Sequence, residues 1–535
     1  MNFQSLTISM IFSSLVLLSS VSIKAEVQTP DTSRKLITFH SIDDPSLDTI
    51  IVAEVGKVKL TAKEFLLNYL FGPAFIFESK NPRHALLDAM VDESLFSIAA
   101  RDSISDLGQE TEKVAKAIED DIATEQLYRK HIWDTLNVSD SEIREAVNES
   151  MRSVNFRWIY SSDKSGIDSL SRQVSEVGFD SVYKKNDVDS SHFRSTDFFH
   201  LRITSPDIYT MDAFAREGDI SEPVKGPDGY YIFKIDRLLY SPIITRSEYE
   251  KRSQEIKEEL RQYKADVASD EYVDNMLKTA QPIIKRNAFN LLAGYIGSLY
   301  LSQNKFNDLG ISKLLMTEAG PINASEVKRL GDLPLIVFKS GEVTLGQFLE
   351  WFDLRSFNFK FSQSNVNMFL RDVESYVWRM LRDQLLIRQA HHEDMYSKPV
   401  VRRQMERWKE KLSALAMINH LVSEINMDTS AVLSYCKKYF ARYKITGDTL
   451  SDFRHRYDDI RRDYLDYAET ERLLHVSILL SRKYPITKYY SVVDHLDLPN
   501  PGKGQPIEVE YFKTGGTFPR KAFPTIEQIW SKIIY

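Results

Sequence analysis

The chain is 535 residues long, 43% apolar and 27% charged, with a formal net charge of −7. That is enough to build large cores in roughly three or four domains, and a mildly acidic balance gives no footing for a nucleic-acid partner. The single cysteine, Cys436, excludes an internal disulfide, so stability rests on packing.

Ile8 to Val21 is apolar, Ser-rich and uncharged, and ends at Ile23-Lys24-Ala25-Glu26, where a small residue precedes a cleavage position. Residues 1–25 therefore read as a secretory signal peptide, the apolar run falling short of the roughly 18–20 residues of an uncleaved anchor. No cysteine stands near that boundary to carry a lipid. Residues 26–48, polar with Pro30 and Pro45, read as a linker. A short strand, Ile50 to Val55, then turns at Gly56 into a helix capped by Thr61. Beyond it, Leu86, Leu87, Met90, Val91, Leu95, Ile98 and Ala99 recur at helical spacing, so 49–152 is predicted to be a helical module.

At 154 the period changes. Val154 to Tyr160 alternates as a strand does, Ile167 to Val177 reads as a helix stopped at Gly178, and Gly229 to Ile235 is a further strand. Residues 153–242 are thus predicted to be an α+β domain inside an otherwise mainly α chain. Residues 243–295 return to helix, 296–332 connect, and 333–496 form a second helical module. The tail, 497–535, is rich in Pro and Gly and holds a predicted strand from Ile507 to Phe512.

The two modules repeat the same landmarks in the same order. Thr61-x-x-x-Phe65-Leu66 after Gly56 matches Thr344-x-x-x-Phe348-Leu349 after Gly341. Ser139 and Asp428 each stand as an N-cap between helices, and the return helices carry Tyr249, Ile256 and Leu260 or Phe453, Ile460 and Tyr464. The stretch before the return helix is roughly 85 residues longer in the first copy, the size of one small domain. Each return helix is expected to pack back on the first helices of its own copy. The aromatic residues Phe65, Tyr69, Phe71, Phe75 and Phe77, and Phe348, Trp351, Phe352, Phe357, Phe359 and Phe361, either fill these helical cores or offer surface for tolerant binding of extended apolar segments. The alternation at 357, 359 and 361 suits a half-buried strand.

This layout resembles the periplasmic SurA- and PpiD-type chaperones with parvulin-like domains, over 50–295 as a complete unit and 335–496 as a unit without its insert. Gly218-Asp219-Ile220-Ser221-Glu222-Pro223-Val224, followed by Gly229-Tyr230-Tyr231-Ile232-Phe233-Lys234-Ile235, looks like the end of a parvulin domain. The two histidines usual in that family are replaced by Trp158 and Tyr231, and its glycine-rich turn by Ser195-Thr196-Asp197-Phe198-Phe199. The resemblance places the family-equivalent site at Trp158, Asp197 and Tyr231. The peptide contacts it implies are Trp158, Phe198, Phe199, Phe214, Tyr230 and Tyr231.

Those departures bear on chemistry. Turning an X–Pro bond crosses a barrier of about 18–20 kcal/mol, and a catalyst must favour the twisted amide. Trp158 only donates, and Tyr231 does not titrate near neutral pH, so neither reproduces a histidine network. The reading is therefore a periplasmic folding factor that binds unfolded envelope or outer-membrane proteins and uses the insert for peptide binding, without cofactor or metal. An active prolyl isomerase and a non-catalytic scaffold of an envelope complex are the alternatives, and His192 and His200 are the histidines a rearranged site would use. The acids Glu119-Asp120-Asp121 and the basic run Arg402-Arg403, Arg407, Lys409 and Lys411 read as solvated helix faces. His391-His392-Glu393 has no partner at metal-ligand spacing.

Overall fold

The structure, a computed structural model, describes residues 37, 44–104, 107–185, 192–209, 216–226, 229–243, 245–355, 359–443, 453–498 and 523–533. The signal peptide, most of the linker, Phe214, Phe357 and the tail strand at 507–512 lie outside the described residues.

The first copy opens with β1 (Ile51–Val55), β2 (Val58–Thr61), α1 (Ala62–Phe71), α2 (Pro82–Ser103), α3 (Gln109–His131) and α4 (Asp140–Ser150). The insert follows: β3 (Arg152–Ser161), α5 (Lys164–Val177), α6 (Phe179–Lys185), β4 (Phe193–Asp197), α7 (Phe198–Thr204), α8 (Pro206–Tyr209), β5 (Val224–Lys225) and β6 (Tyr230–Tyr240). The copy closes with α9 (Arg246–Ala280) and β7 (Ile283–Ile284). The connector holds α10 (Arg286–Tyr300), α11 (Gln303–Asp308), β8 (Met316–Thr317) and β9 (Gly320–Pro321). The second copy comprises β10 (Pro334–Phe338), β11 (Gly341–Thr344), α12 (Leu345–Arg355), α13 (Val366–His392), α14 (Pro399–Ser423), α15 (Thr429–Lys438), α16 (Tyr457–Lys483), β12 (Ile486–Lys488) and α17 (Tyr490–His495). The chain is mainly α with an inserted α+β domain, as its periodicity predicts.

Both copies begin alike because the same local chemistry repeats. Gly56 takes φ +58, a left-handed turn that β-hairpins favour glycine for, and β2 then runs into a capping box. Thr61 Oγ1 accepts from the Glu64 N–H while Glu64 accepts from the Thr61 N–H. Thr344 and Gln347 exchange the same pair of bonds at the start of α12. Ser139 and Glu142 form a third such box at α4, and Asp428 caps α15 through the Ala431 N–H. Replacing Ser139 with Ala should cost about 1 kcal/mol, read as a shift in the chemical-denaturation midpoint; no shift would mean that this cap is not formed in solution.

The chain divides into two units. One holds the described residues up to 115, then 405–443, 453–498 and 523–533. Its core packs Leu86, Leu87, Met90, Leu95 and Phe96 of α2 with Ile418 and Leu421 of α14, Leu473 and Leu480 of α16, and Trp530 of the tail. Its three-stranded sheet runs β12-β1-β2, with Ala53 opposite Lys488 and Val55 opposite Ile486.

The other unit holds the described residues between 116 and 404. Leu291, Leu292 and Ile296 of α10 pack on Phe348 and Phe352 of α12 and on Phe369, Val373 and Met380 of α13. Its sheet runs β11-β10-β7, with Ile336 opposite Ile284. Phe359 and Phe361 are half-buried against Tyr376 and Tyr300, outside any strand, which corrects the strand predicted there. Tertiary stacking, not pleating, explains their alternation.

The two closing strands are exchanged. β7 of the first copy completes the second copy's hairpin, and β12 of the second completes the first's. Each closing helix does return to its own copy, α9 to α4 and α16 to α15, and also reaches the other copy. α9 packs on α3 and α4 and also on α13, through Ala265 and Val273 against Leu127, Leu386 and Ala390. α16 packs on α2 of the first copy. At about 1.5 Å per residue, the 35-residue α9 carries its closing strand roughly 50 Å along its own axis, far enough to join another hairpin.

Candidate functional site

The inserted domain is a four-stranded antiparallel sheet in the order β4-β3-β6-β5. Side chains alternate across it, so each face has its own core. One face collects Val154, Phe156 and Trp158 of β3 with Tyr231, Phe233 and Ile235 of β6, and packs on Phe198, Leu201 and Tyr209. The other collects Ile159, Tyr230 and Ile232 with Ile167, Phe179, Val182 and Tyr183 of α5 and α6. A register shift opposite Asn155 and Phe156 leaves Asp236 as an extra residue on β6. Asp236 receives both Arg157 Nε, at 2.7 Å, and Nη2, at 2.6 Å, a two-pronged pair that pins the bulge.

The first face is an aromatic ladder. Trp158 stands opposite Phe233 and Tyr160 opposite Tyr231. The Tyr231 ring stacks on Phe233 with centroids 5.8 Å apart and planes at 11°, and lies 5.2 Å from Tyr160. The His192 ring stacks on Trp158 at 5.5 Å and 14°. Two glycines make room: a Cβ on Gly226 would sit 2.6 Å from the Tyr231 ring, and one on Gly229 2.5 Å from the Tyr160 ring. Trp158 and Tyr231 are half-buried and Tyr160 is exposed, so the ladder presents ring surface to solvent.

Of the residues singled out from the sequence, Trp158, Tyr231 and Phe198 share this face. Tyr230 lies on the opposite face. Phe199 is fully buried in a different core, with Ala146 and Val147 of α4 and Ile256 and Leu260 of α9. Asp197 caps α7, accepting the His200 N–H at 2.9 Å and the His200 ring at 2.7 Å. Burial would raise its pKa, but those His200 bonds outweigh it and hold the carboxyl below its ordinary range. His200 also meets Glu259 of α9 at 3.0 Å. Asp197 thus works as a cap and a docking group for the domain.

Hydrogen bonds to Asp197 and Glu259 push His200 up to about 10, from an ordinary 6.5. A raised histidine stabilises the fold in full below pH 6.5 and loses that contribution as pH rises towards 10. Denaturation midpoints at pH 6 and pH 10 should therefore differ less in His200→Gln than in the unaltered chain. Equal losses in both would show that the Asp197–His200–Glu259 bridge is not made.

Two charge clusters read as solvated are corrected in part: Arg402, Arg403 and Lys409 are exposed as expected, but Asp121, Arg407 and Lys411 turn inward. Asp121 is buried and receives Arg355 at 2.6 Å, because α3 turns that side towards its neighbours. Lys411 is buried against Glu93, and Arg407 pairs with Glu64 at 2.6 Å. The acids that draw these basic residues inward lie more than 300 positions away in sequence. His391 stacks on Tyr396 at 4.0 Å. Among the described residues, no group of three or more His, Cys, Asp or Glu is arranged to hold a metal ion, and no helix is long and apolar enough to cross a membrane.

No family model matches the chain. No curated protein matches it either. A solved structure of the virulence factor PEB4 and the periplasmic protein Cj1289, two structurally related SurA-like chaperones of Campylobacter jejuni, matches at 16% identity. The match covers 43% of this chain and 98% of that one, with a TM-score of 0.18. A likeness that weak carries no conclusion about this chain.

Proposed function

We propose that this chain is an exported, periplasmic folding factor that holds extended segments of unfolded envelope or outer-membrane proteins. Its inserted, parvulin-like domain binds peptide on the Trp158–Tyr231 face and does little or no prolyl isomerisation. One observation carries the reading: where a titratable pair would be needed, the face offers a continuous stack of rings from Phe156 to Tyr160 and from Tyr231 to Phe233. Such a surface contacts apolar and prolyl side chains through dispersion and ring geometry, and tolerates many sequences. Asp197, the remaining family-equivalent position, is occupied as a cap.

The test measures prolyl isomerisation and the aggregation of an unfolded outer-membrane protein with the same preparation of residues 26–535. Uncatalysed isomerisation rates with strong suppression of aggregation are expected, and Trp158→Ala with Tyr231→Ala should weaken the suppression. Acceleration of isomerisation, lost on Trp158 or His192 replacement, would instead establish an isomerase. Neither activity, together with one stoichiometric partner on purification, would establish a scaffold.

A further inference from the structure

The last described segment, 523–533, sits in a groove of the first unit, on α1, α2 and α14. The way it is held is the way peptides are held. Asn68 Oδ1 accepts the backbone N–H of Ile526 at 2.7 Å, and Glu93 accepts that of Glu527 at 3.2 Å. Both bonds go to the main chain, so they are indifferent to the side chains of whatever lies there. A single aromatic anchor, Trp530, is fully buried edge-on to Phe96 at 5.1 Å, with its indole N–H on Glu93 at 2.7 Å. Three ion pairs clamp the rim and the far end: Glu527 on Lys411, and Lys532 on Asp466 and Glu469.

The segment does not fill its seat. A half-open recess of about 60 Å³ remains beside Phe523, Pro524 and Ile526, lined by polar and apolar side chains alike, among them Glu64, Arg407, Lys411, Leu60 and Met90. Ser97, 2% exposed, stands at that recess with a buried Oγ that has no hydrogen-bond partner. A strap selected only to close a core would pack to interior density. Room for water under a main-chain-directed contact suits a seat that takes more than one occupant.

We infer that this groove is a second peptide-binding site, that residues 523–533 are its resident occupant, and that the tail competes there with client segments carrying an aliphatic residue, an acid and an aromatic anchor in the order of Ile526, Glu527 and Trp530. The inference rests on the proposed chaperone reading, to which it adds a site and a preference. The tail keeps the groove closed until a segment of that pattern displaces it.

The experiment uses the full chain carrying Trp530→Ala and Lys532→Glu, which loosen the tail and leave the groove intact. Binding of a fluorescent peptide of sequence 523–533 is followed by anisotropy, with urea-unfolded outer-membrane protein as competitor. The double variant should bind the peptide at least about tenfold more tightly than the unaltered chain, a scrambled peptide should bind about tenfold less tightly, and the unfolded protein should displace it. Glu93→Gln in the same background should reverse the gain. Glu527→Ala alone, which removes only the Lys411 contact, should move binding in the same direction if the double variant is poorly folded. No binding by either variant overturns the inference. Peptide binding that the unfolded protein does not displace overturns it too, and leaves suppression of aggregation as the separate measure of the proposed function.

Discussion

Cutting the chain after Glu318, in the turn between β8 and β9, should give two fragments that assemble one to one and whose helical modules do not fold apart. Each fragment keeps one opening hairpin but holds the third strand of the other's sheet. The first would lose Leu473 and Leu480 from against α2, and its α10 would lose Phe348, Phe352 and Phe369. Buried side chains of this kind are each worth about 1.5–3 kcal/mol, so five of them approach the whole stability of a domain, about 5–15 kcal/mol. Co-expression with an affinity tag on the first fragment should recover both in equal amounts. Circular dichroism of either fragment alone should show no cooperative melt beyond that of the inserted domain, which lies whole in the first. A tagged fragment that purifies alone and unfolds cooperatively outside that domain would rule out the strand exchange.

Asp383→Ala should destabilise the second unit by about 3–5 kcal/mol, because it orphans Trp351 and Arg382 together. The carboxylate, 2% exposed, accepts the Trp351 indole N–H at 2.9 Å and Arg382 at 2.7 Å, with Arg355 Nε 3.7 Å away. Arg355 in turn reaches Asp121. Loss of the acid leaves a buried indole N–H without its acceptor and the Arg382 guanidinium without its counter-charge, while Arg355 keeps Asp121. Asp383→Asn keeps an oxygen for the indole and should cost less. Denaturation followed by tryptophan fluorescence reads both, and equal losses in the two variants would mean that the charge, not the indole bond, dominates.

What the sequence made legible was local. Thr61, Thr344, Ser139 and Asp428 announce helix starts because a capping side chain acts within three residues of itself. The change of period at Val154 announces the insert because strand alternation needs only neighbours. One miss was avoidable: Tyr230 and Tyr231 are adjacent on a strand and must face opposite ways, so they could not share one binding face. Phe199 is a different case, since the helix α7 that carries it turns successive side chains by about 100° and so splits it from Phe198. Lys411 looked solvated because the acid that buries it is on another helix, hundreds of positions away. The exchanged strands were invisible for a deeper reason. A repeat presents two equivalent hairpins and two equivalent closing strands, and nothing local says which belongs with which.

That exchange also governs how the protein comes into being. Ala53 pairs with Lys488, on the order of 400 residues further on, a separation typical of slow folding. A ribosome working at about 5–20 residues per second needs tens of seconds to supply the missing strand. Through that interval the first hairpin has an open edge and the α2 face lacks its cover. The newborn chain is, for that interval, an unfolded protein with exposed apolar surface.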